Sequence, residues 1–268
     1  MLKKLLGVFL IVIGIFLSVA SLKMIFVDAP RKKAALKEAV YVGEDEIAAE
    51  NDGKTVIVCG KFELTQPAYD DELGLVIDSI RVTRSEQTMQ LKKETSKTKE
   101  LTEEEKKYGV LKWTGGLHNK SFTGEGKVGD YTLSQDFIDK IRINKVWEQY
   151  DETLLEAAGY EYVPDQSFTQ KHFIEPLKQT LRKHKKNDVR YFYEAADFKT
   201  GQMVTAIGIQ DGQMLKAAPE VTDNLLQNAL DREAAIKQTQ ASGMGVNVFS
   251  VVISLLLLAG GVVVISKK

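Results

Sequence analysis

The stretch VNVFSVVISLLLLAGGVVVI, Val246–Ile265, decides how this chain is read. It holds 20 residues with no charge, and the next charges are Lys267 and Lys268. At about 1.5 Å per helical residue such a run reaches across a hydrocarbon core of roughly 30 Å. A second apolar run, Leu5 to Leu22, lies at the other end of the chain. The expected organisation is therefore a cytoplasmic stub (1–4), a transmembrane helix (5–27), a soluble domain (28–245), a second transmembrane helix (246–266) and a two-residue cytoplasmic tail (267–268). Everything in the middle must fold while tied at both ends to a bilayer.

Of 36 basic residues, Lys3, Lys4, Lys23, Lys267 and Lys268 belong to the apolar ends, which leaves 31 in the middle against all 37 acids. A segment with formal charge −6 is a poor partner for nucleic acid, whose phosphates need a basic face. Cys59 is alone, so there is no internal disulfide framework and no zinc site of the CxxC kind. The soluble segment has to be held by its core.

Lys3 and Lys4, the apolar run, and then Ser18-Val19-Ala20 also fit a cleaved secretory signal. A retained anchor is the better reading, because the run exceeds a usual signal core and resumes as Met24-Ile25-Phe26-Val27. Two spans place both termini on one side. The terminal lysines favour the cytoplasm, whereas Lys23, Arg31, Lys32, Lys33 and Lys37 vote the other way. Gly14 and Ser18, four apart, suit a small-residue helix contact or a lipid face.

Past Pro30, Ala34, Ala35, Leu36, Ala39 and Val40 share a helical face and form a stalk leaving the membrane. Asn51-Asp52-Gly53 is a turn, and Thr55–Gly60 behind it a buried strand carrying Cys59 as a small core residue. Leu75 to Leu91 reads as one long strand, Lys92 to Lys107 as a solvated hairpin tip or mobile loop, and Tyr108 to Trp113 as the returning strand, ending at Gly115-Gly116. Ser134 caps a short helix through Ile141, and Asp151 caps Glu152 to Ala158, which Gly159 ends. Pro176 suits the first turn of a helix on which Leu177 and Leu181 share a face. Asp188–Phe198 and Met203–Ile209 are strands, and Asp211-Gly212 is a turn. Pro219 opens a last helix with Val221, Leu225, Ala229, Arg232 and Ile236 along one stripe. Strands and helices without a βαβ rhythm give an α+β fold built on antiparallel sheet.

Four pieces, taken in order, are similar to one family. They are Ala49-Glu50-Asn51-Asp52-Gly53-Lys54 with its strand to Gly60, and Leu73-Gly74-Leu75 with Arg81 and Glu86. Next come Val128-Gly129-Asp130-Tyr131-Thr132-Leu133-Ser134 with Phe137-Ile138-Asp139-Lys140, and Asp188-Val189-Arg190-Tyr191-Phe192-Tyr193 with Val204-Thr205-Ala206-Ile207-Gly208. In this order and spacing the chain resembles the transmembrane protein 43 family, also called LUMA. The resemblance implies an integral membrane protein with a large non-cytoplasmic domain and a scaffolding role in membrane organisation. It implies no catalytic residue. Eukaryotic members carry several further spans at their C-terminal end, and this chain has a single one. It therefore fits a compact relative in a bacterial cell membrane or a eukaryotic endomembrane.

Chemistry-bearing motifs are sparse. Gly124-Glu125-Gly126-Lys127-Val128-Gly129 matches GxGxxG, but no buried strand precedes it and no helix opens from it, so a flexible loop is expected rather than a dinucleotide site. His118, His172 and His184 are too scattered to set a metal site, and no metal or other cofactor is expected. Lys178, Arg182, Lys183, His184, Lys185 and Lys186 form the densest basic run. It reads either as contact with anionic lipid headgroups or, more simply, as a solvated helix end where cations oppose the carbonyl dipole. The whole is a non-enzymatic membrane scaffold or binding module. Its expected partners are lipid, other membrane proteins and other copies of itself, with no nucleic acid. The rival is a membrane-tethered hydrolase whose carboxylates converge in a cleft. A tail-anchored secreted protein follows if Ser18-Val19-Ala20 is cleaved.

Overall fold

The computed structural model describes residues 2–44, 47–94, 100–164 and 172–266. Its helices are α1 (Leu2–Lys23), a π-helical turn (Met24–Asp28), α2 (Ala29–Glu38), α3 (Glu103–Tyr108), α4 (Gln135–Ile138), α5 (Glu152–Ala157), α6 (Leu177–Thr180) and α7 (Arg232–Ser266). The first strands are β1 (Val40–Gly43), β2 (Thr55–Gln66), β3 (Ala68–Asp70), β4 (Leu75–Ile77), β5 (Arg81–Lys92), β6 (Val110–Thr123), β7 (Glu125–Val128) and β8 (Tyr131–Leu133). The later ones are β9 (Lys145–Val146), β10 (Tyr160–Pro164), β11 (His172–Pro176), β12 (Val189–Ala195), β13 (Met203–Asp211), β14 (Met214–Lys216) and β15 (Leu225–Gln227). The fold is α+β. It divides into two compact units, Met1–Lys61 with Val128–Lys140 and Gln202–Lys268, and Phe62–Lys127 with Ile141–Gly201.

In the first unit the β-branched run from Thr55 pairs on both sides. β1 lies parallel to it with Val40 opposite Val56, and β13 runs antiparallel from Met203 opposite Lys61 to Ile209 opposite Thr55. β14 returns on β13 through the Asp211-Gly212 turn and pairs in parallel with β8. Two strands that are apolar on both faces need cover. Ile57 and Ile207 receive it from Leu36 of α2, Ala235 of α7, Val221 and Leu226.

The segment after Pro219, expected as helix, is instead an edge strand: β15 pairs with β13, Leu225 opposite Ala206. Leu225 and Leu226 are both buried, which no single helix stripe allows, and the amide of buried Asn224 donates to the Phe137 carbonyl at 2.7 Å. Asn228 has φ 70°, incompatible with continuing a helix. The helix starts only at Arg232, where Asp231 Oδ1 accepts from the Ala234 amide at 2.8 Å.

In the second unit a sheet ordered β10-β11-β12-β5-β6 carries β9 beside β12, and β3 and β4 form a separate antiparallel pair. Leu75–Leu91 is thus two strands in two sheets. Ser79 breaks it, buried with its amide on the Ile77 carbonyl at 2.7 Å and its hydroxyl donating to the Ala196 carbonyl at 3.1 Å. This break explains why neither parity of the run is cleanly polar. β6 does not stop at Gly115-Gly116; it continues to Thr123 past a register shift between Ser85 and Gln87 on β5. Within Lys92–Lys107, residues 95–99 lie outside the described residues, and the remainder contains α3, opened by a Thr102–Glu105 capping box. The GxGxxG stretch is strand β7 and a turn rather than a flexible loop. A Cβ on Gly124 would lie 2.0 Å from the Gln66 carbonyl oxygen, so close backbone approach accounts for that glycine. The core of this unit gathers Leu75, Ile77, Val82, Leu155, Ile174 and Tyr193.

Candidate functional site

The two terminal helices belong to the first unit. α1, the π-turn and α2 form one continuous helical run. Pro30 supplies the cause of the π-turn: its ring collides with the carbonyl four residues back, and the Ala29 amide reaches to Met24 instead. α7 packs antiparallel on α1. Among the described residues, those buried between them are Gly7, Gly14 and Ser21 on one helix and Ser254 and Gly261 on the other, spaced by seven on each. A Cβ on Gly14 would meet Leu258 at 2.8 Å, and one on Gly261 would meet Ile11 at 2.6 Å. The pair is therefore a small-residue seam with the seven-residue period of a left-handed crossing. Of the pair left open between a helix contact and a lipid face, Gly14 lies in the seam, whereas Ser18 turns to its own helix and donates to the Gly14 carbonyl at 2.8 Å.

The outer faces are the reverse of a soluble helix. Phe16 is 73% exposed and Leu256 67%. Lys4–Glu38 is the one helix among the described residues long and apolar enough to cross a membrane, and only 17% of its most apolar window is buried. The apolar part of α7 with described side chains, Ser250–Ser266, is shorter. Lys267 and Lys268 lie outside the described residues. Ser18-Val19-Ala20 sits inside helix α1. At the foot of the pair, Arg232 on α7 donates to the carbonyls of Lys37 and, at 3.3 Å, Ala39, so a cation closes the C-terminal end of α2.

The basic run belongs to the second unit. The expected helix is only the single turn α6; Pro176 ends β11, and Leu181 does not share a buried face with Leu177 but stands 85% exposed. Arg182 is engaged: its guanidinium donates both ways to Asp188, at 2.7 Å each, and the Lys185 amide adds a third bond to that carboxylate at 2.8 Å. The Arg182 hydrogen bonds hold Asp188 down, to a pKa of about 2. His184 Nε2 meets the buried Glu175 at 2.7 Å. Lys178, Lys183, Lys185 and Lys186 are exposed, with no ion-pair partner among the described residues.

Carboxylates do converge, but on a cation. Arg84, 5% exposed, is clamped by Asp70 at 2.5 Å and by Glu72, which Lys120 also reaches. Tyr193 donates to Asp70 at 2.5 Å, and the Phe122 and Tyr191 rings lie 5.5 and 5.1 Å from the guanidinium. Burial works against the Arg84 charge, yet the Glu72 hydrogen bond and the Asp70 charge outweigh it and hold its pKa above the ordinary value. Burial, helped by Asp70, pushes the Tyr193 phenol up. Chemically this is a closed clamp: both acids are spent on the guanidinium and Asp70 is wholly buried. Sequence reading missed it, since Asp70 and Arg84 carry no motif.

No cluster of three or more metal-type side chains occurs among the described residues. His172 pairs with Glu148 at 3.3 Å, and the His118 side chain lies outside the described residues. Cys59 is buried, with its thiol on the Leu230 carbonyl at 3.3 Å, at the floor of a pocket of about 300 Å³ lined also by Tyr41, Glu44 and Asp231. No family model matches the chain, and neither does any curated protein or solved structure.

Proposed function

We propose that the protein is a two-span integral membrane scaffold, of the kind the transmembrane protein 43 family represents, whose α+β units hold protein partners at the bilayer. The observation that carries this reading is the inverted helix pair: small residues inside, large apolar side chains outside. In water such a surface would be an aggregation site; in lipid it is the solvated face. α7 then spans together with α1, both termini lie on one side, and the small-residue seam fixes the two helices so that the first unit starts from a defined foot at Arg232 and Leu36. A retained anchor is part of this reading, and the burial of Ser21 against α7, one position beyond the signal-like Ala20, supports it.

Against the hydrolase alternative stands the engagement of Asp70 and Glu72, the carboxylates seen to converge among the described residues, by the Arg84 guanidinium. The test has two steps. Membranes from expressing cells are washed in alkaline carbonate, and the protein is expected to stay in the pellet. Cross-linking in those membranes, followed by mild detergent and affinity capture, is expected to recover the same membrane proteins or copies of the chain repeatedly. Release by carbonate, or capture of the chain alone, would count against the proposal.

A further inference from the structure

We infer that the turn from Leu177 to Asn187 is a second contact with lipid, a basic loop that sets Leu181 into the surface of an anionic bilayer. The simpler reading of these cations, a helix end, fails on geometry, because α6 has one turn and Lys183, Lys185 and Lys186 lie beyond it. In its place stands a braced tip. Asp188 ties down Arg182 and the Lys185 amide, Gln179 Oε1 accepts from the Val189 amide at 2.9 Å, and Asn187 takes φ 71°. Backbone bonds at 2.8 Å in both directions stitch Asn187 and Asp188 to Met89 of β5.

So fixed, the loop holds out Leu181, 85% exposed, in a stretch that also exposes Lys178, Lys183, Lys185 and Lys186, none of them ion-paired among the described residues; the acids that reach the loop, Glu161, Glu175 and Asp188, are bonded to Thr180, His184 and Arg182. Two residues past Met89, Leu91 and its cross-strand partner Leu111 are exposed as well, 42% and 41%, at the same end of the sheet. An apolar tip among unpaired cations matches a bilayer interface, where the leucine meets acyl chains and the ammonium groups meet headgroup phosphates. The remainder of the middle segment is acidic, so this complementarity is local. Arg182 is a brace here, not a headgroup ligand. The inference rests on the chain being held at a membrane, which spares the loop the cost of finding one.

The full chain, with Cys59→Ser and Leu181→Cys, is labelled with an environment-sensitive fluorophore. It is reconstituted into vesicles of phosphatidylcholine alone or of equal parts phosphatidylcholine and phosphatidylglycerol, each with and without a spin-labelled quencher lipid. Quenching is expected in the anionic vesicles and much less in the neutral ones. Each of Lys178, Lys183, Lys185 and Lys186 changed to Gln should lower lipid occupancy about fivefold, and about 1 M salt should release the loop. A water-like, unquenched probe in both vesicles overturns the inference, as does a response that tracks protein density rather than lipid charge, which would mean a second copy. A Phe16→Cys probe separates the premises: quenched there and not at 181, the anchor stands and the loop contact is wrong. Unquenched at both, the anchor reading fails and takes the loop with it.

Discussion

The helix pair and the sheet core of the second unit are built by opposite rules. Between α1 and α7 the buried positions among the described residues are Gly7, Gly14, Ser21, Ser254 and Gly261, while Phe9, Phe16, Leu255 and Leu256 face outward. Around β5 and β12 the large side chains face in, with Val82, Ile174 and Tyr193 all at 1% exposure or less. In water, burial of large apolar groups drives packing. In lipid that drive is absent, and helices associate by closeness, which only small residues permit. The two regions also treat polarity differently. The helix pair bonds its serines back to its own carbonyls, whereas the sheet core contains a charged clamp at Arg84.

The clamp is where the contrast can be broken most severely. Arg84→Ala leaves Asp70 buried without its cation and should cost about 3–5 kcal/mol. Denaturant unfolding of the full chain in micelles would read it, since Trp113 and Trp147 both lie in that unit. Arg84→Met with Asp70→Leu and Tyr193→Phe should recover part of the loss, because the desolvation cost of both charges goes with them and no Tyr193 hydroxyl is left without its acceptor. A next smaller effect belongs to the seam. Gly14→Leu or Gly261→Leu forces side chains where a Cβ already meets a neighbour below 3 Å, and should cost about 1–3 kcal/mol. Phe16→Ala, on the outer face, should change micelle unfolding by less than about 0.5 kcal/mol.

The Asp188 brace should contribute about 1–3 kcal/mol through its charge-assisted bonds. Its folded pKa, about 2, lies below the 3.8 of an ordinary aspartate side chain. The stabilisation is therefore complete above the upper value and is lost as pH falls through the lower one. Asp188→Asn should remove that acid-side dependence, visible in unfolding curves taken across that window. Smallest of all, Leu181→Ser should leave stability unchanged within about 0.5 kcal/mol, since nothing in the fold covers that side chain.

Much of this was legible in the chain because periodicity reports burial. The apolar ends, the strand at Thr55, the Asp151 cap and the Asp211-Gly212 turn all carry local signals. What stayed hidden depends on distant partners. Leu225 looks helical until β13 offers an edge, and Leu75–Leu91 looks continuous until Ser79 finds the Ala196 carbonyl. Gly115-Gly116 suggests a stop until β5 supplies a register shift. The basic run was visible, but the engagement of Arg182 by Asp188 and the exposure of Leu181 follow from how a single turn ends. The seam was half visible: Gly14 was marked, while the seven-residue spacing emerges once α7 lies against it.

The central claim, that both terminal helices pair within lipid, is tested most directly by a disulfide formed in unsolubilised membranes. Gly14→Cys and Leu258→Cys, in a Cys59→Ser background, place thiols where the two helices touch. The account predicts rapid intramolecular cross-linking in material that resists alkaline carbonate, and none for an outward-facing pair such as Phe16→Cys with Leu256→Cys. Equal cross-linking of the two pairs, or cross-linked protein released into the carbonate wash, would contradict it.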